Sequence, residues 1–317
     1  MSSMISVVMT TYNGQKYVEE QLLSIINQTK SVDEIIIVDD KSSDETVKVI
    51  KQFIIDNSTF NIVLIQNNEN LGYRRNFKKA MSMAKGDYIF LSDQDDIWEE
   101  NKVEEMMKLM SADTQIKVLA SSFSFIDEKS NIIHLNNKNN HGLYIRSVKN
   151  GSIVPVSFDD MLKHNAFQGC SLVMRKSINL LFQRCFTDEI YHDYLINLLA
   201  SMQNGLYFYN RELFRYRIHE GNTVGINKIE NDDELYKRCV FANNMIDNIN
   251  ILERILPELS QYQSDYKEKR NFCIEHVNSL KNKRFLKLVF QNFNSYYRIL
   301  KGYKARIGDL IYVLRGK

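Results

Sequence analysis

Three short polar segments hold the residues that could do chemistry in this chain. Asp39-Asp40 closes the apolar run Glu34-Ile35-Ile36-Ile37-Val38, and Asp93-Gln94-Asp95-Asp96 closes Asp87-Tyr88-Ile89-Phe90-Leu91-Ser92. An uncharged set, Thr10-Thr11-Tyr12-Asn13, closes Ile5-Ser6-Val7-Val8-Met9. Carboxylates brought this close repel one another unless a cation joins them. A hard divalent ion, Mg2+ or Mn2+, accepts their oxygens and keeps positions open for phosphate. The chemistry that suits this rim is the metal-assisted holding of a diphosphate. Glycine-loop alternatives are missing, since neither G-x-G-x-x-G nor G-x-x-x-x-G-K-[ST] occurs. No histidine pair has zinc-helix spacing, and Cys170, Cys185, Cys239 and Cys273 are too scattered for a structural zinc site. Taken alone, Asp39-Asp40 reads equally well as a helix-capping turn, and Asp93-x-Asp95-Asp96 could be a solvated acidic loop. Their joint placement at successive strand ends carries the functional reading.

The elements that must position these segments alternate. Residues 5–10, 34–38, 61–65 and 87–91 are short β-branched apolar runs. Between them, residues 17–26, a stretch beginning near the expected N-cap Asp44, and residues around 77–84 show helical spacing. Continuous apolar strands separated by amphipathic helices predict a mostly parallel sheet covered on both faces. In such sheets ligands sit beyond the carboxyl ends of the strands, where the three segments fall. A helix is expected over residues 102–110, strands over 118–124, 169–174 and 206–209, and a helix over 194–202. Residues 129–152 read as irregular, and helices alone follow from about residue 232.

Composition narrows the classes. Of 317 residues, 44% are hydrophobic and 25% charged, which excludes both disorder and a membrane bundle. Scattered cysteines and an N-terminus without a basic-then-apolar pattern predict a cytoplasmic chain with no disulfide framework. The net charge of +2 conceals an asymmetry, because ten of the 41 bases but one of the 39 acids lie beyond residue 276. There Phe285, Leu286, Val289, Phe290, Phe293, Tyr296, Tyr297 and Leu300 recur at helical spacing. Tyr303, Ile307, Leu310, Ile311 and Leu314 continue the pattern among lysines and arginines. These helices pack on a core, lie on an anionic membrane surface, or do both, with one face packed and the basic edge at lipid headgroups.

The order of Val7-Val8-Met9-Thr10-Thr11-Tyr12-Asn13-Gly14, Ile36-Ile37-Val38-Asp39-Asp40, Ser42-Ser43-Asp44-Glu45-Thr46, Asn70-Leu71-Gly72, Gly86-Asp87-Tyr88-Ile89 and Leu91-Ser92-Asp93-Gln94-Asp95-Asp96-Ile97-Trp98 resembles family 2 glycosyltransferases of the GT-A fold. With Tyr191-His192-Asp193 and Tyr216-Arg217-Ile218-His219-Glu220-Gly221-Asn222, the chain is similar to the rhamnosyltransferase-type subset. The resemblance implies an α/β GT-A domain over residues 1–225 and a helical, basic extension over 226–317. It implies that Thr10, Tyr12, Asn13, Asp39, Asp40 and Arg75 hold the donor nucleotide, with Asp93 near the ribose. Asp95, with Asp93 and His219, would hold Mg2+ or Mn2+, and Asp193 would be the catalytic base. The implied reaction is inverting transfer of a sugar, L-rhamnose from dTDP-L-rhamnose, to a lipid-linked saccharide in surface polysaccharide synthesis. The protein would then be peripheral on the inner membrane face, with no nucleic-acid partner.

Plainer roles stand beside these. Asp193 could be only a helix N-cap, His192 and His219 only hydrogen-bonded structural residues, and Trp98 only packing beside the acidic loop. A phosphoryl-receiver module explains Asp39-Asp40 but not the first or third segment. A sugar-1-phosphate nucleotidyltransferase would need a glycine-rich basic loop that Thr11-Tyr12-Asn13-Gly14 does not supply. Another UDP- or dTDP-hexose donor, or a non-catalytic sugar-nucleotide scaffold, stays open.

Overall fold

A computed structural model describes residues 3–134, 148–220 and 233–315. The Asn-rich run 136–140 and the Gly221-Asn222 pair lie outside the described residues. The chain divides into two compact units, one of residues 1–156 and 166–225, the other of residues 157–165 and 226–317.

The first unit is built on one mixed sheet. Strands β1 (Ile5–Thr11), β2 (Glu34–Asp39), β3 (Ile62–Gln66) and β4 (Tyr88–Ser92) pair in parallel in the order β3-β2-β1-β4. Helices α1 (Val18–Ile26), α2 (Thr46–Asp56) and α3 (Tyr73–Met83) connect them. β1, β2 and β4 are buried almost throughout, as two-sided coverage demands, whereas the edge strand β3 is partly exposed. Ile5, Val7, Met9, Ile35, Ile37 and Phe90 face one layer with Val18, Leu22 and Ile25 of α1. Helix α3 covers β1 and β2 with Phe77, Ala80 and Met81 buried.

Beyond β4 come β5 (Ile97–Trp98), α4 (Lys102–Ala112), β6 (Val118–Ile126), β7 (Ile132–Ile133) and β8 (Ile153–Pro155). They are followed in this unit by a 3-10 turn, Gly169–Ser171, β9 (Leu172–Arg175) and β10 (Leu206–Arg217). β9 lies antiparallel between β4 and β6, so the later half of the sheet is mixed while the first four strands are parallel. β10 extends well past the expected residues 206–209 and pairs with β6, β8 and β5. Its length carries Arg217 back to the strand ends.

In the second unit, α5 (Phe158–Lys163) packs with α8 (Glu234–Ile255); α6 (Lys176–Cys185) and α7 (His192–Met202) belong to the first. The second unit continues with α9 (Leu259–Tyr262), α10 (Tyr266–Lys281), α11 (Phe285–Gln291), α12 (Ser295–Leu300) and α13 (Tyr303–Arg315). Among the described residues no helix is long and apolar enough to cross a membrane.

Two expected caps move. Glu45 takes the N-cap of α2, because the Asp44 carboxylate bonds forward to the Thr46 backbone N–H at 3.0 Å in an Asx-type turn. α7 begins with Tyr191 at its N-cap, so Asp193 sits inside the first turn and is not the cap.

Candidate active site at the strand ends

The end of β1 is locked by long-range bonds. The Gln94 amide pairs with the Tyr12 backbone in both directions, Tyr12 N–H donating to Oε1 at 2.9 Å and Nε2 donating to the Tyr12 carbonyl at 3.0 Å. A Cβ on Gly14 would fall 2.1 Å from Gln94 Oε1, so glycine here is what admits that clamp. The Tyr12 ring is left half exposed, a free aromatic face at the rim. Asn13, at φ 48°, accepts from the Ser43 N–H at 2.8 Å and ties the first segment to the second. Thr10 is half-buried and registers with Val38.

The two aspartates after β2 act differently. Asp39 is fully buried and accepts from Thr11 Oγ1 and the Ser42 N–H, each at 2.9 Å, and from Ser42 Oγ. Asp40 accepts from Asn67 Nδ2, the Leu71 N–H and the Gly72 N–H, all at 2.8 Å. Gly72, at φ 77°, supplies the left-handed backbone that aims these N–H groups. A carboxylate has about four lone-pair positions. Asp40 Oδ2 takes one of these donors and can accept one more.

The acidic loop after β4 is crowded. Asp93 and Asp95 are half-buried and Asp96 is fully buried. Burial, then the Asp95 charge, pushes the Asp93 carboxyl up to about 7, and the same two causes lift Asp96 well above the usual range. Beneath them Lys102 is wholly buried, its Nζ donating to the Cys170 carbonyl at 2.6 Å and lying over the Trp98 ring at 4.1 Å. Burial brings its ammonium down to about 8. Trp98 is therefore core packing, its ring tilted against Phe90 at 5.7 Å. The Cys170 thiol, raised by burial and by Asp96 and Asp93, stays protonated against this cluster. Apart from that thiol, Asp96 Oδ2 meets no donor among the described residues.

β10 delivers the other side of the site. Arg217 is fully buried and donates to the Asp95 carbonyl at 2.7 Å, to Glu20 at 2.7 Å and to the Asp127 carbonyl at 3.1 Å. Its backbone N–H reaches Asp96 Oδ1 at 3.2 Å. Two residues on, His219 Nε2 stands 2.8 Å from Asp95 Oδ2 with its ring on Tyr17. Asp193 enters from α7, close enough for its charge to raise Asp93 and 3.8 Å from where a Gly169 Cβ would lie. Its neighbour His192 stacks on Phe77 at 4.0 Å, and burial, with Arg74 nearby, lowers its imidazole to about 3.

Asp93 and Asp96 facing one buried ammonium, an underused Asp96 oxygen and the neighbouring Asp95 carboxylate with its imidazole fit a hard divalent ion. Asp93 and Asp96 bring carboxylate oxygens within 4.8 Å of one another beside the protonated Cys170 thiol, and Asp95 with His219 forms the adjoining pair. The strand ends thus gather Thr10, Tyr12, Asn13, Asp39, Asp40, Asp93, Asp95, Asp193 and His219. Arg75 is engaged elsewhere, its Nε donating to Asp188 at 2.7 Å. The chemical patterns in the sequence did not single out Gln94, Lys102, Cys170 and Arg217. Gln94 and Arg217 carried a usable signal, the first in its place inside the acidic segment and the second two residues before His219.

The model of glycosyl transferase family 2 matches residues 6–181. A glycosyltransferase of Methanocaldococcus jannaschii is 37% identical over 132 residues, covering 41% of this chain and 45% of that protein. The chain therefore spans less than half the length of that relative. The dTDP-rhamnosyl transferase RfbG of Shigella flexneri is 29% identical over 231 residues, 69% of this chain and 74% of that one. Among solved structures, the mannosyltransferase PcManGT from Pyrobaculum calidifontis, in complex with GDP-Man and Mn2+, superposes with a TM-score of 0.50 at 15% identity. That match covers 100% of this chain and 88% of the other. The family match spans more than half of the chain, over the strands that build the acidic rim, and the chain belongs to glycosyl transferase family 2.

Proposed function

We propose that this protein is a metal-dependent, inverting glycosyltransferase that moves L-rhamnose from dTDP-L-rhamnose to a lipid-linked saccharide in surface polysaccharide synthesis. The observation that carries the reading is the meeting of Asp93, Asp95, His219 and Asp193, from three distant parts of the chain, at one rim. Tyr12 offers its exposed face to the base, and Asp40 Oδ2 accepts the base N–H with its remaining lone pair. Thr10, Asn13 and Asp39 shape that pocket, and Asp93 lies toward the ribose. Arg75 serves the donor once released from Asp188. Asp95, Asp93 and His219 would hold Mg2+ or Mn2+, which would supply charge stabilisation for the leaving diphosphate.

The Asp193 carboxylate takes the proton of the acceptor hydroxyl as that oxygen bonds to the anomeric carbon. The bond from that carbon to the diphosphate breaks in the same displacement, and its electron pair leaves with the diphosphate. One displacement inverts the centre and needs no protein nucleophile. The domain that does this is residues 1–225, with 226–317 as the extension, at the cytoplasmic membrane face.

Similarity to a dTDP-rhamnosyl transferase supports the donor. Calorimetry with dTDP-rhamnose, UDP-hexoses and GDP-mannose, each with Mn2+ and with EDTA, tests it. Metal-dependent binding led by dTDP-rhamnose is expected. A UDP-hexose binding first would reassign the donor, and binding without turnover would make the protein a scaffold. If no nucleotide sugar or nucleotide diphosphate binds, the transferase reading is lost.

A further inference from the structure

The C-terminal helices turn apolar side chains outward as well as inward. On α11, Leu288 and Gln291 are buried, whereas Leu286 and Phe290, one turn apart, are 70% and 71% exposed. Phe293, just beyond, is 79% exposed. On α13 the buried positions are Asp309 and Val313, and Tyr303, Ile307, Ile311 and Leu314 make an exposed stripe at helical spacing. The two helices pack on one another. Contiguous exposed apolar side chains of this size mark an interaction surface.

Charge identifies the partner. The sole acid beyond residue 276, Asp309, is buried and bound by Lys301 at 2.6 Å, Tyr297 at 2.7 Å and Arg238 at 3.1 Å. Every formal charge left exposed on described residues 282–315 is therefore positive, carried by Lys283, Arg284, Arg298, Lys304 and Arg315 and by Lys287, which pairs with Glu275 at 2.6 Å. A two-fold contact with a second copy would set these bases against one another. An anionic surface with an apolar interior satisfies both features.

We infer that the exposed face of α11–α13 docks on an anionic phospholipid leaflet. Leu286, Phe290 and Phe293 enter the boundary between headgroups and acyl chains, and the flanking bases meet lipid phosphates. The purpose of docking, keeping the enzyme beside a lipid-linked acceptor, rests on the proposed function; the docking itself rests on the exposed side chains and their charge alone.

The test is co-sedimentation of the full chain with phosphatidylcholine vesicles, with and without phosphatidylglycerol. Binding should require phosphatidylglycerol and weaken at high salt. The double variant Phe290→Ser/Phe293→Ser should bind about tenfold more weakly or worse, with an unchanged melting temperature, since both side chains are exposed. Lys283→Glu/Arg284→Glu should remove the preference for anionic lipid. Equal binding to both vesicle types, no binding, or full binding by the phenylalanine variant would overturn the inference. So would a concentration-dependent dimer lost on the same substitutions, which would give the face to a second copy. Donor calorimetry on the same samples separates the two readings, because donor binding by a chain that ignores vesicles sinks only this one.

Discussion

Two clusters built around a buried carboxylate, Asp96 in the first unit and Asp309 in the second, show opposite charge balance. In the first unit, Asp93, Asp95 and Asp96 crowd a single loop above one buried ammonium, Lys102. In the second, Asp309 stands alone and receives Lys301, Tyr297 and Arg238, with His276 Nε2 at 3.5 Å. Burial penalises both. At Asp93 nothing outweighs it, and the carboxyl rises to about 7. At Asp309 burial is overcome by the nearby His276 and by the bonds and charge of Lys301 and Tyr297, and the carboxyl falls to about 2. A cluster whose charges are satisfied within the chain holds the fold together. One left with surplus charge of one sign is built to receive something from outside.

Substitutions can break this contrast, and the largest effect belongs to the site. Asp193→Asn should slow transfer by about 10²–10⁴-fold, the usual contribution of a general base, while leaving donor affinity and melting temperature intact. An unchanged rate would move the base elsewhere. In the second unit the effect should fall on stability alone. Asp309→Asn leaves Lys301 and Arg238 facing a neutral amide, and urea denaturation should register a loss of about 3–5 kcal/mol. A loss well below that would mean the cluster is less tightly coupled than its distances imply.

Acid should reproduce part of this loss without mutation. The folded carboxyl of Asp309 lies below its unfolded value, so its contribution is complete above about pH 4 and fades as pH falls toward 2. A shift of this size corresponds to roughly 2 kcal/mol. Stability curves of the parent and Asp309→Asn should therefore converge in that window, and parallel curves would contradict the assignment. The smallest effect should have the opposite sign. With EDTA present, Asp93→Asn removes a charge that faces Asp95 and should leave stability unchanged or raise it by about 1 kcal/mol. Destabilisation on the scale of Asp309→Asn would erase the distinction between the clusters.

Much of the rim was legible along the chain because its signals are local. The runs that became β1, β2 and β4 are apolar throughout, and a strand buried on both faces needs that. The polar residues that follow them had to emerge at the carboxyl edge. The tail was legible only as an alternation of apolar and basic residues. Periodicity marks that a helix has faces but does not say which face packs, and Leu288 turned inward while Phe290 turned outward.

By itself the sequence determined the parallel strand block, the succession of hydroxyl, amide and carboxylate groups at its edge, and the basic character of the tail. All three follow from residue type and spacing within a dozen residues. Tertiary structure decided how charge is shared. Arg217 meets the Asp95 carbonyl across 122 positions, His219 meets Asp95 across 124, and Lys102 meets the Cys170 carbonyl across 68. Whether a carboxylate is saturated like Asp39 or crowded like Asp93 depends on such neighbours, and no local pattern encodes them. Electrostatic energy is a sum over pairs in space, so the chemistry of the acidic loop exists only once β10 has brought its arginine and histidine back beside it.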